Sequence, residues 1–340
     1  MTLELTRAQI LAFRRRVGAL DERLPPGPDS LRRAAWAGLQ DSMPRAALLS
    51  IHARVAGTGP SAWEDPSLIQ LWGPRYSAFV VAGRDHAVFS LGLLPDDAKG
   101  RRRAADTAAS LAAALGGSRM AYGEAGRALG VHHNSLRYAA PTGTVLIRWE
   151  GARQPVIWTV PAPSADPRDA RLELARRYLH IYGPATPEAF GKWSGIGPRS
   201  GAAAFEALAG SLTPVRTPIA DAWILAEDEE AFLAAATAAR PAAAARLLPS
   251  GDAFFLCHGA DRDLLVPDPV RRDTLWTPRV WPGALLVAGE LTGTWRRADT
   301  VLTVQPWRRL SRAEQDAVVA EAESLPLPGT PRPITVHWHD

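Results

Sequence analysis

Residues His180–Ala209 read HIYGPATPEAFGKWSGIGPRSGAAAFEALA, and this stretch decides the fold. Thr186 suits a helix N-cap, Glu188 falls in the first turn, and Ala189, Phe190 and Trp193 supply small and apolar contacts at helical spacing. Gly195 and Gly197 supply the stop, because glycine enters the left-handed conformation without steric cost. A second helix is predicted to begin near Ser200, with Ala202, Phe205 and Leu208 on its buried side. Two short helices with a tight glycine turn form the core of a helix-turn-helix, and the following TPVRTPIADAWILAED reads as an extended wing. Nucleic acid is the first partner this suggests.

The same grammar recurs on the N-terminal side. Thr6 can cap a helix that turns Ile10, Leu11, Phe13 and Val17 inward and leaves Arg14, Arg15 and Arg16 largely on the wet side. Helices over LRRAAWAGLQ and RAALLSIHARVAG follow, so the first 57 residues suit a compact helical module. SAFVVAGRDHAVFSLGL bridges onward as a strand and a short helix. Next come KGRRRAADTAASLAAAL, YGEAGRALG and VHHNSLRYAAPTG as helices, then TVLIRWE and PVIWTV as alternating runs around a Gly-containing loop, the order of a winged helix. Beyond about residue 236 short strand-like runs dominate, closed by a helix that starts at a Ser311 cap. The C-terminal runs read as a small β-barrel or sandwich; the fold class expected is α+β, tandem winged-helix (helix-turn-helix) modules followed by that unit, taken as a C-terminal small β-barrel. The expected units are a first module with bridging segment at 1–98, a second at 99–162, a third at 163–235 and the β-barrel domain at 236–340.

Composition narrows the function. With 340 residues, 46% hydrophobic, the chain can bury a sizeable core. No run of about 18 uncharged apolar residues occurs, and the first 20 residues carry their arginines among and after the apolar ones, the wrong order for a signal peptide. A cytoplasmic, nucleoid-associated monomer without membrane contact is expected. The single Cys257 excludes an internal disulfide and a multi-cysteine metal site. Of 39 basic residues only Lys99 and Lys192 are not Arg, a bias that a GC-rich genome also produces. Their distribution says more: residues 99–160 hold 9 basic and 3 acidic side chains, whereas 221–340 hold 12 and 17. Positive charge concentrated in the first two thirds is what a phosphate-binding surface requires. No GxSxG elbow, P-loop or GxGxxG is present, so serine hydrolase, nucleotide hydrolase and Rossmann readings lack their signatures.

The order of parts resembles the bacterial winged-helix DNA glycosylases that remove alkylated purines and unhook interstrand crosslinks. The resemblance runs over nearly the whole chain. It rests on GLQ at 38–40, PRAALLSIHARVAG, WEDPSLIQLWGPR, YGPATPEAFGKWSGI, LLPSGDAFF, ADRDLLVP and GELTGTWRR, in that order. It implies a concave, positively charged channel for double-stranded DNA and a catalytic Gln-aliphatic-Gln motif or its variant with a carboxylate at the second polar place; no cofactor or metal is expected. Gln40, Asp41 and Ser42 stand at those positions, so the first glutamine is present while the aliphatic place is acidic and the second glutamine is serine. An Arg-Gly-Thr-Leu-His segment of the family corresponds to Arg75, Tyr76, Ser77, Ala78 and Phe79, keeping the arginine and losing the histidine.

An N7-alkylated purine is already a good leaving group, so a protein needs only to stabilise the oxocarbenium-like sugar and place one water. On that reading Gln40 positions, Asp41 supplies negative charge and Ser42 holds the water. The same Asp41-Ser42-Met43-Pro44 run also reads as one helix ending and the next being capped. DNA contacts are expected from Arg75, from Arg101, Arg102 and Arg103 near a helix start, from His132, His133 and Arg137 on the second module's recognition helix, from Arg153 at its wing, and from Lys192 and Arg199. Two function classes stay open: a glycosylase-like repair enzyme, and a DNA-binding regulator or lesion sensor with a degenerate site.

Overall fold

The computed structural model describes residues 3–43, 45–150, 153–235, 244–327, 329 and 333–339. Among these residues, helices and four separate sheets alternate along the chain in a mixed α+β architecture. In the region that opened the sequence reading, Thr186 Oγ1 accepts from Ala189 N at 3.2 Å and caps helix Pro187–Ser194, which ends on Gly195 at φ 83°. Gly197 at φ 86° turns the chain into helix Pro198–Ala207. That helix starts two residues before the predicted Ser200 because Pro198 is preorganised for the first helical position. Its buried side is Gly201, Ala204, Phe205 and Leu208, and Ala202 faces out. The cause is a glycine crossing: a Cβ on Gly201 would lie 2.4 Å from the Pro187 carbonyl oxygen, so the two helices meet there and set the face.

Helix Pro167–Tyr182 precedes this pair and carries Tyr178 and Tyr182 into an aromatic cluster with Phe190 and Trp193. Strands Leu212–Arg216 and Asp221–Leu225 follow as an antiparallel hairpin, and Leu3–Glu4 adds to it in parallel. The N-terminal helix Arg7–Val17 has its Thr6–Gln9 capping box, but it joins this third unit and not the helices next to it in sequence. Ile10 and Phe13 pack with Val215, Ile224 and Phe232. The expectation that Arg14 lies on the wet side is corrected: it is 3% exposed and its Nε donates to the Gly183 carbonyl at 3.0 Å. It also donates to Tyr182 O, so it serves carbonyls left over at the end of helix Pro167–Tyr182.

The first unit holds helices Pro28–Ala34 and Ala46–Arg54 over a sheet ordered Leu39–Gln40, Ala78–Ala82, Leu68–Trp72. A helix running through Gln40 was the sequence expectation; instead the chain leaves the helix and Gly38, at φ 77°, starts a strand. A Cβ there would meet the Phe89 ring at 2.7 Å. The second unit consists of helices Ala98–Leu115 and Tyr122–Ala128, the 3-10 turns His133–Thr142, and hairpin strands Val145–Arg148 and Val156–Thr159. Gly151 and Ala152 of its predicted loop lie outside the described residues, as does the expected boundary at residue 236.

The C-terminal unit is a five-stranded sheet ordered Ala245–Leu248, Gly283–Val287, Glu290–Ala298, Val301–Pro306, Thr335–Trp338. Among the described residues it is open, not the closed barrel expected from the sequence. The last strand pairs in parallel with Val301–Pro306 and leaves Ala245–Leu248 as the opposite edge. Helix Arg312–Glu323, capped by Ser311 and Glu314, covers one face through Val318 and Ala322. No helix among the described residues is long and apolar enough to cross a membrane.

Candidate active site and nucleic-acid surface

Gln40 ends its short strand opposite Phe79, and the next amide, Asp41 N, still donates to Ala78 O at 2.7 Å. Its half-buried side chain stands where three units meet. Arg75 of the first unit donates from Nη2 to Gln40 Oε1 at 3.0 Å, and its other arm reaches the Trp193 carbonyl at the end of helix Pro187–Ser194. Gly251 of the C-terminal unit backs the amide so closely that a Cβ there would be 3.0 Å from Gln40 Nε2. Phe79, where the resemblance leads one to expect a histidine, is wholly buried.

Asp41 is 4% exposed and both carboxylate oxygens are engaged. Oδ1 accepts from Ala47 N at 3.0 Å, at the start of helix Ala46–Arg54, and Oδ2 accepts from Gln70 Nε2 at 2.6 Å. Gln70 passes the connection on, its Oε1 accepting from Trp149 N at 2.5 Å on the second unit's hairpin. A carboxylate, an amide and two backbone N–H groups thus tie the Gln40 strand to the neighbouring unit. Burial raises the Asp41 carboxyl from 3.8 to about 6, against the lowering effect of Ala47 N–H, Arg45 and Gln70. The folded chain therefore binds this proton where the unfolded chain has lost it, between pH 3.8 and about 6. Stability relative to Asp41→Asn is expected to rise as pH falls through that window, by on the order of 3 kcal/mol, measured by urea unfolding at pH 7 and pH 4. A pH-independent difference between the two proteins overturns this.

Ser42 opens onto a cleft of about 670 Å³ between the first and second units, and His133, Arg137 and Arg153 line the same cleft. Four residues separated by up to 111 positions are thereby brought together. Arg137 is set in place by Tyr122, whose hydroxyl accepts from its Nε at 2.9 Å. His133 meets the Tyr122 ring edge-on at 4.9 Å and stacks on His132 at 4.3 Å. His132 Nδ1 caps the turns by accepting from Asn134 N at 3.2 Å.

The remaining candidates lie elsewhere. Arg101, Arg102 and Arg103 are exposed on helix Ala98–Leu115; the Arg103 guanidinium sits 3.5 Å above the Tyr138 ring, and Arg101 borders a separate cleft with Asp96, Arg168 and Arg171. Lys192 is exposed and pairs with Glu188 at 2.7 Å, and Arg199 is exposed at the start of helix Pro198–Ala207. A further cleft, about 310 Å³, is lined by Met43, Trp281, Arg296 and Arg297, which sequence reading did not select. The available signal was the doubled arginine ending GELTGTWRR. For Gln70 it was a polar side chain inside the apolar run LIQLW.

This geometry defines a mixed α+β protein of several helix-and-hairpin units, with a clamped amide at their junction and cationic clefts beside it. The chain belongs to the AlkZ-like DNA glycosylase family, whose model, described as DNA glycosylase AlkZ-like, matches residues 33–326. It is 30% identical over 161 residues to an interstrand DNA cross-link repair glycosylase of Streptomyces sahachiroi, an alignment spanning 46% of this chain and 42% of that relative's length. The solved structure of Streptomyces sahachiroi DNA glycosylase AlkZ superposes with a TM-score of 0.76 over 99% of this chain and 100% of that one, at 19% identity.

Proposed function

We propose that this protein is a DNA glycosylase that hydrolyses the N-glycosidic bond of alkylated or crosslinked purines in duplex DNA. The helix-and-hairpin units act on this reading as winged-helix modules that grip the backbone, and the C-terminal sheet serves in the place of a barrel. The protein works as a monomer on nucleoid DNA in the cytoplasm. One observation carries the reading: the Gln40 amide is held half-exposed at the junction of three units, and two residues further along the chain Ser42 lines a cleft rimmed by Arg137, His133 and Arg153.

The chemistry asked of the site is small. A cationic N7-alkylated base leaves with its bonding electrons and becomes neutral, so no strong acid is needed. The sugar becomes oxocarbenium-like and is captured by one water, which gives up a proton to solvent as the new C–O bond forms. Gln40 orients the reacting groups at fixed geometry, Ser42 holds the water, and Asp41, sealed and hydrogen-bonded, anchors the strand and contributes its charge through the protein interior. Arginines of the second unit, with Lys192 and Arg199 of the third, hold phosphates and set register.

Incubating the purified chain with duplex DNA carrying N7-methylguanine tests this: free base is expected well above the spontaneous rate. Binding without release supports the second reading, a DNA-binding protein without chemistry, which the burial of Asp41 and the wholly buried Phe79 favour.

A further inference from the structure

Arg75 was singled out in the sequence as a phosphate contact, yet both arms of its guanidinium are taken by the protein. Its backbone is unusual as well. Arg75 and Tyr76 adopt left-handed conformations in succession, at φ 55° and 57°, a geometry that is sterically costly for residues bearing a side chain. Such a turn persists only where its surroundings dictate it. Here Gly73 N donates to Ser77 O at 2.9 Å, and Gly195, the turn residue between the two helices of the third unit, lies against it. A Cβ on Gly195 would sit 3.2 Å from both Arg75 Cα and Arg75 N. The side chain then spans from the Trp193 carbonyl to Gln40 Oε1, 3.0 Å from Nη2.

We propose that Arg75 is a positioning residue that transmits the geometry of the third unit's Gly195 turn to the Gln40 amide. The inference rests on the glycosylase reading and adds a role for this arginine to it. With its oxygen engaged by Arg75, the Gln40 amide has its orientation fixed, and the group left for substrate is the N–H donor. Only a planar, two-armed cation reaches both acceptors at once; a lysine ammonium retains the charge without the fork. A phosphate contact behaves differently, because a lysine replaces it well and its removal releases fewer counterions on binding.

The test measures, on the full chain, single-turnover release of N7-methylguanine and duplex affinity across a salt series for Arg75→Ala, Arg75→Lys and Gly195→Ala. All three are expected to slow release on the order of 100-fold, the penalty of misplacing a catalytic group, while affinity and its salt slope stay as in the wild type. Overturning results are an unchanged rate in Arg75→Lys and Gly195→Ala, or a salt slope about 0.9 shallower in Arg75→Ala with affinity restored by lysine. Thermal melting identifies any variant that fails to fold, and Gly195→Ala leaves the arginine itself intact. If the wild type releases no base, the glycosylase reading fails alone. The clamp is then judged by the Gln40 side-chain amide resonance in 15N-glutamine-labelled protein, assigned by its loss in Gln40→Glu. That resonance shifts in Arg75→Lys and Gly195→Ala if the clamp holds, and an unmoved signal overturns it.

Discussion

Gln40→Ala is expected to lower base release from an N7-methylguanine duplex by 100- to 1,000-fold, on the order found when one preorganised donor is removed from an active site. Duplex affinity is expected to stay within about twofold, since the arginines that hold phosphate are untouched. The physical reason is that little else at the junction is available for the chemistry. Asp41 is sealed behind Ala47 N and Gln70, and Phe79 offers only hydrocarbon where the family segment has a histidine. The effect falls on the rate and not on folding, because Gln40 is half-exposed and its loss leaves the Arg75 arm to solvent and to the Trp193 carbonyl. Single-turnover kinetics beside a fluorescence-anisotropy titration separate the two quantities. A variant that releases base at the wild-type rate removes Gln40 from the chemistry and shifts attention to Ser42. A wild type that releases none, with affinity unchanged in the variant, establishes a binding protein in place of an enzyme.

What the sequence made legible was local. The Thr6, Thr186 and Ser311 caps and the Gly195–Gly197 turn each follow from residues within about four positions, and each is present as read. Long-range contacts decided the rest. Gln40 sits on a strand because Gly38 lets the Phe79 and Phe89 rings approach the backbone, a choice no helical periodicity reveals. Arg14 is buried because the carbonyls ending a helix, 168 and 169 residues away, need a donor. Gln70 is a single polar residue in an apolar strand, and acquires meaning only once Asp41 and Trp149 close on it from positions 29 and 79 residues away. The arginines divide likewise: composition supplied their number, but Arg137 and Arg153 share a cleft with Ser42 while Arg101 borders another.

Asp252→Ala is expected to destabilise the chain by about 3–5 kcal/mol, because it leaves a buried guanidinium without its counter-ion. Asp252 and Arg54 are 1% and 4% exposed and form a two-armed pair at 2.7 and 2.8 Å, joined by the Ser50 hydroxyl at 2.7 Å. Burial alone would raise the Asp252 carboxyl, but Arg54, Ser50 and the Phe254 N–H outweigh it and hold it below 3.8. Its contribution is therefore present throughout the neutral range and is lost only as pH falls below that value. The pair joins helix Ala46–Arg54 of the first unit to the segment that carries Gly251, and Gly251 backs the Gln40 amide. Loss of the carboxylate thus acts twice: the thermal midpoint drops on the order of 10 °C, and base release falls even at temperatures where the variant is still folded. Replacing both partners by Arg54→Met and Asp252→Leu is expected to recover much of the midpoint, since the cost lies in the unpaired ion and not in the absence of a bond. Release should not recover with it, because two apolar chains cannot reproduce the hydrogen bonds that fix the 250–254 turn against position 40. A double variant regaining stability and rate together would show that the buried ion pair has no part in holding the site.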